Sequence, residues 1–170
     1  YALMELNLLF IYLFKTDNKE DVEPVDYPFV TIQLPVYNEL YVIERLIDAC
    51  ATFDYPKDRF EIQILDDSND ETVQIVSQKV VEWRAKGINI EQVIRPERKG
   101  YKAGALAYGL QESKGEFIAI FDADFVPDND FLLKTIPYFR NPKIGVVQTR
   151  WKHMNKDYSL LTKLQAFALD

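Results

Sequence analysis

Two aspartates, Asp122 and Asp124, follow directly on the apolar run FIAIF at 117–121. Residues two positions apart in an extended chain point to the same face, so the two carboxylates should project together while Ala123 faces the other way. Neighbouring carboxylates repel each other unless a cation joins them, and their hard oxygens suit Mg2+ or Mn2+. The pair therefore predicts a divalent metal site that would neutralise a bound diphosphate. A chance D-x-D in an acidic loop is the alternative.

A cationic stretch, RPERKGYKAGAL at 95–106, is the second candidate site. It brings basic side chains and glycines to the expected start of a helix: Arg95, Arg98, Lys99, Lys102, Gly100 and Gly104. Flexible backbone, basic side chains and a helix N-terminus together favour an anion site. A solvated basic loop is the alternative, since the glycine spacing differs from the G-x-x-x-x-G-K-[ST] pattern of a P-loop.

Two further polar stretches, PVYNE at 35–39 and DDSND at 66–70, each follow a β-rich run. In the first, Tyr37 offers a flat aromatic face, and Asn38 could cap the next helix. In the second, the adjacent acids Asp66 and Asp67 predict a bound donor, such as the imide N–H of a uracil. Helix capping by the residues that follow would explain the rest of the stretch but not these two acids.

The polar stretches alternate with segments that have the patterns of strands and helices. β-rich runs predict strands at 29–34, 60–65, 88–94, 116–121 and 144–149. Helices are expected after each of the first three strands, at about 130–139, and from near Ser159. Ser68 and Glu71 have the spacing of a capping box. The predicted buried helix faces are Ile43, Leu46, Ile47 and Cys50; Val73, Val76, Val80 and Trp83; and Ala103, Leu106, Ala107 and Leu110.

Strands alternating with helices predict an α/β fold with a parallel sheet and helices on its faces. Ligands bind at the carboxyl ends of the strands in such a sheet. The four polar stretches are therefore expected to meet along one edge.

The composition sets limits on the class of protein. With 170 residues, 48% of them hydrophobic, the chain can bury the core of one domain. A net charge of -7 argues against a protein that binds the nucleic-acid backbone, because such proteins need a broad basic surface. The single cysteine, Cys50, allows neither a disulfide framework nor a CxxC metal site, which favours a reduced, cytosol-facing domain.

The first 26 residues form a separate unit of sequence, an apolar segment followed by an acidic linker. The apolar part, YALMELNLLFIYLF, has 14 residues, whereas a membrane-spanning helix needs about 20. It could be the end of a truncated transmembrane helix, an interfacial helix or a packed terminal helix. The chain starts at Tyr1 and stops at Asp170 within an apolar run, so we expect it to be a piece of a longer protein.

Five motifs resemble, in order and spacing, the donor-binding half of family 2 glycosyltransferases: LPVYNE, ILDDSNDET, RKGYKAGAL, FDADFVP and VQTRW. The resemblance covers nearly all of residues 27–155 and is strongest to the processive cellulose synthase and glucomannan synthase group. It implies a GT-A fold, a Rossmann-like three-layer sandwich with a mostly parallel sheet, here truncated. It also implies a nucleotide-sugar donor (UDP-glucose or GDP-mannose), Mg2+ or Mn2+, and inverting transfer of a hexose to a growing β-linked polysaccharide.

The resemblance also assigns residues to the nucleoside. By position, Pro35, Tyr37 and Glu39 would line the nucleoside pocket within residues 27–170, the nucleotide-sugar-binding part. Asp67, supported by Asp66, would receive the nucleobase.

The remaining assignments concern the diphosphate and the metal. Lys99 and Lys102 would approach the diphosphate, and Asp122 and Asp124 would form the metal site. Asp124 would be the direct metal ligand, and Asp122 would lie nearer the ribose or sugar.

The chain departs from the family pattern on the acceptor side. Residues 1–170 contain neither the T-E-D motif that carries the general base nor the Q-x-x-R-W motif of processive members. We therefore expect the general base beyond Asp170. The sequence QTRW at 148–151 is one residue short of the second motif and more simply shapes the acceptor side of the cleft or ends a strand. His153, the only histidine, is expected in a loop rather than at a metal.

Processive family members carry their catalytic domain between transmembrane helices on the cytosolic side. The resemblance therefore implies membrane association through flanking helices and a cytosol-facing catalytic domain. Three alternatives stay open: a non-processive family 2 transferase acting on a lipid or other glycan, a nucleotidyltransferase-like domain, and a non-catalytic nucleotide-binding module.

Overall fold

The computed structural model describes residues 27–149. The apolar segment at 1–26, Trp151, His153 and the helix expected from Ser159 lie outside the described residues. No helix within 27–149 is long and apolar enough to cross a membrane.

Strands and helices alternate along the described chain, as the sequence predicts. The strands are β1 (Val30–Val36), β2 (Phe60–Asp66), β3 (Ile90–Val93) and β4 (Phe117–Ile120). The helices are α1 (Ile43–Ala51), α2 (Thr72–Ala85), α3 (Tyr101–Glu112) and α4 (Phe131–Thr135), with short 3-10 turns at Lys57–Arg59 and Ile136–Arg140.

The four strands form one parallel sheet in the order β3-β2-β1-β4. The register pairs Val36 with Asp66 and Gln33 with Ile120. The carboxyl ends of all strands therefore lie along one edge, which confirms the predicted α/β fold and the arrangement of the polar stretches.

The two faces of the central strands differ in polarity. The apolar residues of β1 and β2 join α1 and α2 in the main core, which includes Ile32, Leu34 and Ile62. The other face is polar but fully buried: Thr31 Oγ1 donates to Glu61 Oε1 at 2.8 Å, and Gln33 Nε2 donates to Gln63 Oε1 at 3.1 Å. Buried polar groups require such partners, so this face is fixed by paired side chains.

Helix α3 covers the polar face with small residues, and the predicted buried face was wrong. Ala105 and Gly109 are buried, whereas the predicted Leu110 is 57% exposed. Of the other predicted residues, Ala103 and Ala107 are exposed and Leu106 is half-buried. A methyl group on Gly109 would lie 2.5 Å from Leu65 Cδ2, so the close approach of helix and sheet selects small residues over large apolar ones.

The start of α2 also differs from the prediction. Its first residue, Thr72, donates its backbone N–H to Asp70 Oδ1 at 2.9 Å. The predicted capping box is wrong because the Ser68 hydroxyl accepts a hydrogen bond from Asn38 N–H instead, at 3.0 Å.

The buried face of α2 was predicted only in part. Val76 and Val80 are buried, but Val73 and Trp83 are only half-buried. Trp83 is an anchor to α1 as well as an apolar residue, since its Nε1 donates to Asp48 Oδ1 at 2.7 Å.

The last two predicted elements are altered. The helix expected at 130–139 ends as α4 at Thr135 and continues as a 3-10 turn, where Pro137 has no N–H to continue the α-helical pattern. The strand expected at 144–149 is wrong: the part of the chain described by the structure has no strand there, and Val146 is 82% exposed. A strand needs a hydrogen-bonded neighbour, and the only described neighbour of β4 is β1.

Candidate functional site

Tyr37 and Asp67 lie next to each other in the sheet, each one residue beyond the end of its strand. This follows from the register, in which Val36 pairs with Asp66. Asp67 N–H also donates to Val36 O at 3.0 Å, so the two chain ends are joined by backbone as well. An aromatic ring and a carboxylate thus stand side by side at the carboxyl edge.

Asn38 ties these two loops together and does not cap α1, which begins five residues later at Ile43. Its amide donates to Asn69 Oδ1 and accepts from Asn69 N–H, both at 3.0 Å. Its φ of 58° lies in the left-handed region, which asparagine enters more readily than most residues. The asparagine therefore holds the turn in which Tyr37 lies.

Asp66 is a buried structural acid, 2% exposed. It accepts hydrogen bonds from Ser68 N–H at 2.9 Å and from Gln92 Nε2 at 2.7 Å. Because Gln92 lies on β3, Asp66 fastens the end of β2 to its neighbour and supports Asp67 from behind. The structure thus places Asp66 next to the candidate pocket without exposing its carboxylate there.

Asp67 forms a two-pronged ion pair with Arg95. Arg95 Nε and Nη2 lie 2.7 and 2.5 Å from the two carboxylate oxygens, and both side chains are less than 10% exposed (7% and 6%). The hydrogen bonds to Asp67 raise the pKa of the Arg95 guanidinium. Each carboxylate oxygen has a second lone pair, so Asp67 can still accept a bond from a ligand.

Arg95 also folds the basic loop, a role that the sequence did not reveal. Its Nη1 donates to Lys99 O at 2.6 Å and its Nη2 to Tyr101 O at 2.9 Å. Gly104 is needed beside it, because a Cβ there would overlap the backbone carbonyl oxygen of Lys99 and would lie 2.7 Å from Arg95 Nη1. The position of Arg95 just beyond β3, beside the acids that end β2, was the available signal.

Arg98 lies on the ring of Tyr37, with its Cζ 3.3 Å from the ring centroid. The other predicted donor-binding residues near this ring make fewer side-chain contacts. Glu39 acts through its carbonyl, which accepts the N–H groups that begin α1. Pro35 is half-buried within β1, and Lys99 is exposed with no ion pair to a residue within 27–149.

Lys102, in the first turn of α3, forms an ion pair with Asp122. Both side chains are about half exposed (53% and 42%), so the pair is open to a ligand. Asp124 is exposed, and its carboxylate has no hydrogen bond or ion pair with any residue that the structure describes. A cation, its partner acid and an unengaged acid thus stand together at the end of β4.

The geometry expected for Asp122 and Asp124 was wrong, although their exposure agrees with it. Strand β4 ends at Ile120, and Phe125 N–H donates to Asp122 O at 2.9 Å, so residues 122–125 form a turn and not extended chain. Ala123 is 7% exposed and faces inward. The turn leaves the two carboxylates on the outer side.

The carboxylates of Asp122 and Asp124 could supply only part of the ligands of a divalent cation. No group of three or more acidic, histidine or cysteine side chains within the described ranges could hold a metal. A metal with hard oxygen ligands takes about six, so a ligand phosphate or water would have to complete the site.

A cavity of about 400 Å³ lies beside the Lys102–Asp122 pair. It is walled by the open edge of β4, by Phe125 and α4, and by residues 146–149. Its floor is aromatic: the Phe121 ring lies 4.8 Å from Phe131 and 5.7 Å from Phe125, centroid to centroid. These rings fix the turn that carries Asp122 and Asp124.

The chain resembles a solved structure over most of its length. A mannosyltransferase from Pyrobaculum calidifontis, solved in complex with GDP-Man and Mn2+, superposes with a TM-score of 0.69 at 31% identity. The match covers 92% of this chain and 46% of that one. TarS of S. aureus, at 24% identity and a TM-score of 0.57, shares the fold. These likenesses confirm the GT-A architecture.

Relatives by sequence carry the name glucomannan 4-beta-mannosyltransferase. Probable glucomannan 4-beta-mannosyltransferase 4 of Oryza sativa subsp. japonica is 48% identical over 153 residues, which is 87% of this chain and 28% of the relative. Glucomannan 4-beta-mannosyltransferase 1 of Cyamopsis tetragonoloba is 47% identical over 149 residues, 85% of this chain and 28% of the relative. The chain thus spans less than a third of the length of these relatives.

The family pattern described as glycosyl transferase family 2 matches residues 31–166. That range begins at the second residue of β1 and contains β2 to β4 and all the candidate residues at the carboxyl ends of the strands. By fold, sequence pattern and motif order alike, the chain belongs to glycosyl transferase family 2.

Proposed function

We propose that this chain is the donor-binding part of an inverting mannosyltransferase that transfers mannose from GDP-mannose to a growing β-linked mannan or glucomannan. The names of the sequence relatives support the product, and the GDP-Man complex of the structural relative supports the donor. The runner-up donor is UDP-glucose. A family 2 chain favours glycosyl transfer over nucleotidyl transfer.

One observation carries the proposal: the Lys102–Asp122 pair beside the unengaged carboxylate of Asp124, at the carboxyl edge of the sheet. Lysine at the start of a helix attracts a diphosphate, and exposed acids attract the cation that accompanies it. The two requirements of a nucleotide-sugar site therefore meet at one place.

The residues of this chain would act on the leaving group. In inverting transfer, an acceptor hydroxyl attacks the anomeric carbon while the bond from that carbon to the diphosphate oxygen breaks. Lys102 would hold negative charge that develops on the leaving diphosphate. Asp122 and Asp124 would hold Mg2+ or Mn2+, which supplies further charge neutralisation when bound. The base that takes the hydroxyl proton is proposed to lie beyond Asp170.

The nucleoside would bind further along the edge, at the carboxyl ends of β1 and β2. Tyr37 offers its ring to the base, and Asp67 offers carboxylate oxygens to N–H donors of the base. Pro35 and Glu39 border the same turn. Asp67 is held in place by Arg95, and Asp66 behind it is held by Gln92, so the acceptor carboxylate of Asp67 is preorganised.

The binding test is a thermal shift on the full chain with GDP or UDP, each with and without Mn2+. We expect GDP with Mn2+ to raise the melting temperature by about 3 °C at saturating ligand, more than either alone. Asp124→Asn should abolish the metal-dependent part. Asp128→Asn, four residues away and exposed, is the matched control and should retain it. Stabilisation by GDP that is indifferent to metal in the wild type would contradict the site.

The transfer test uses the full-length protein with radiolabelled GDP-mannose or UDP-glucose and a mannan oligosaccharide acceptor. We expect mannose to be incorporated and glucose to be incorporated more slowly. Faster incorporation from UDP-glucose would show that the donor is misassigned. Transfer to a lipid acceptor alone would favour a non-processive enzyme.

We also propose that the protein is attached to a membrane through flanking helices, with this domain facing the cytosol. The resemblance to processive enzymes and the apolar sequence at 1–14 support this location. Fractionation and protease protection of the full-length protein would test it, and recovery in the soluble fraction would contradict it.

A further inference from the structure

Arg98 covers the aromatic face at the end of β1. Its Cζ lies 3.3 Å from the Tyr37 ring centroid and 5.1 Å from the Tyr101 centroid. Its Nε lies 3.9 Å from Asp67 Oδ2. One guanidinium thus contacts both groups, ring and carboxylate, that the proposed function assigns to the base.

A guanidinium at this distance takes the space of a stacked base. It is planar and lies against the ring face, as a nucleobase would. Arg98 and a base cannot both occupy that face of Tyr37. A ligand that stacks there must therefore displace the guanidinium.

The contacts of Arg98 are much weaker than those of Arg95 on the same acid. Arg95 is 7% exposed and is held by four hydrogen bonds, two to Asp67 and two to backbone carbonyls. Arg98 is 37% exposed, with no hydrogen bond from its side chain to any residue within 27–149, and it lies in the exposed run 96–100. Arg98 can leave while Arg95 keeps Asp67 and the loop in place.

We propose that Arg98 makes this site selective for nucleoside diphosphates over nucleosides. In the ligand-free protein its guanidinium covers Tyr37, and a base replaces it efficiently only when a diphosphate gives the displaced charge a new partner. The loop of Arg98 leads directly into α3, whose first turn carries Lys102 beside Asp122. A bare nucleoside removes the cation from the ring and offers it nothing in return. This inference rests on the proposed nucleotide site.

The test compares guanosine and GDP on the full chain, by competition against a fluorescent GDP analogue in the presence of Mn2+. Arg98→Ala should bind guanosine about threefold more tightly, because the ring is uncovered. The same variant should bind GDP about tenfold more weakly, because a charged partner of the diphosphate is lost. Opposite shifts for two ligands with one base cannot arise from general loosening of the fold.

Three further variants separate the causes. Arg98→Lys keeps the charge without the planar group, so GDP affinity should stay within about threefold of wild type. Arg59→Ala removes an arginine that is more exposed than Arg98 and lies at the opposite edge of the sheet, and it should change neither affinity. In Tyr37→Leu, adding Arg98→Ala should no longer increase guanosine binding.

The outcomes are distinguishable. If the wild type binds GDP but guanosine affinity is unchanged or lower in Arg98→Ala, this inference is overturned and the proposed function stands. If the wild type does not bind GDP, the proposed function fails and the inference fails with it.

Discussion

At the scale of single residues, the paired charges of Asp67 and Arg95 define the candidate pocket for the nucleobase. The two side chains are 28 positions apart in sequence and almost fully buried in the structure. Ions removed from water are tolerated when their hydrogen bonds are satisfied, and here Arg95 satisfies Asp67 and two backbone carbonyls together. The pair orders the pocket wall and the basic loop at once.

Breaking this pair should destabilise the protein strongly. Asp67→Ala leaves the Arg95 guanidinium buried without its partner, so the free energy of unfolding should fall by about 3–5 kcal/mol. The double variant Asp67→Ala with Arg95→Met should be less destabilised than the sum of the single variants. Urea unfolding of all four proteins gives the coupling energy.

The exposed pair Arg59 and Asp58 is the control. Its atoms lie 3.9 Å apart and its side chains are 55% and 84% exposed, so Arg59→Ala should change stability by less than about 1 kcal/mol. Additive effects of the Asp67 and Arg95 substitutions would contradict the assigned coupling.

At the scale of elements, α3 links the sheet to the candidate diphosphate site. Its buried face rests on the polar side of β1 and β2 through Ala105 and Gly109, and its first turn presents Lys102. The distance between helix and sheet thus sets where the lysine lies. This short distance is possible only because the buried residues of α3 are small.

Gly109→Ala should separate the helix from the sheet. The new Cβ would lie 2.5 Å from Leu65 Cδ2 and 2.9 Å from Gln33 Nε2, whereas helix propensity alone favours alanine by about 1 kcal/mol. We expect overpacking to prevail, with a net loss of about 1–2 kcal/mol in urea unfolding and weaker GDP binding.

Gly145→Ala is the matched control, because its Cβ would have no atom within 4 Å. It should leave stability and GDP binding nearly unchanged. If Gly109→Ala is more stable than the wild type, the gain in helix propensity exceeds the cost of overpacking, and the helix and sheet can adjust to the added methyl group.

At the scale of the whole molecule, the described sheet is most deeply buried at its central strands, β1 and β2, and is open at its β4 edge. β1 lies between β2 and β4, with both of its faces covered, and β2 is buried along its whole length. β4 is half-buried, and its Ile120 is 49% exposed. The cavity beside the candidate diphosphate site lies along this open edge.

Hydrogen exchange should follow this gradient. We expect the amides of β1 and β2 to exchange slowest, near the rate of global unfolding, and those of β4 to exchange faster because fewer buried contacts hold it. Mass spectrometry of peptides from the full chain would measure the order. Protection of β4 equal to that of β2 would show that another part of the protein pairs with its free edge.

The sequence by itself determined the order of elements, the parallel sheet and the edge at which the polar residues meet. These follow from local patterns: alternation of apolar residues, helical spacing and the position of acids after each strand. The family resemblance rests on the same local motifs. The spacing of apolar residues did not predict the buried face of α3, whose large apolar residues point outward. The helix lies so close to the sheet that only small residues fit on its buried face.

Only the tertiary structure decided which side chains meet. Nothing local to Asp67 indicates Arg95, nothing near Tyr37 indicates Arg98, and Asn38 was expected at a helix start but joins Asn69. Each of these contacts joins residues about 30 to 60 positions apart. Their formation depends on strand order and register, which place distant turns side by side, and a single sequence carries that information only through the completed fold.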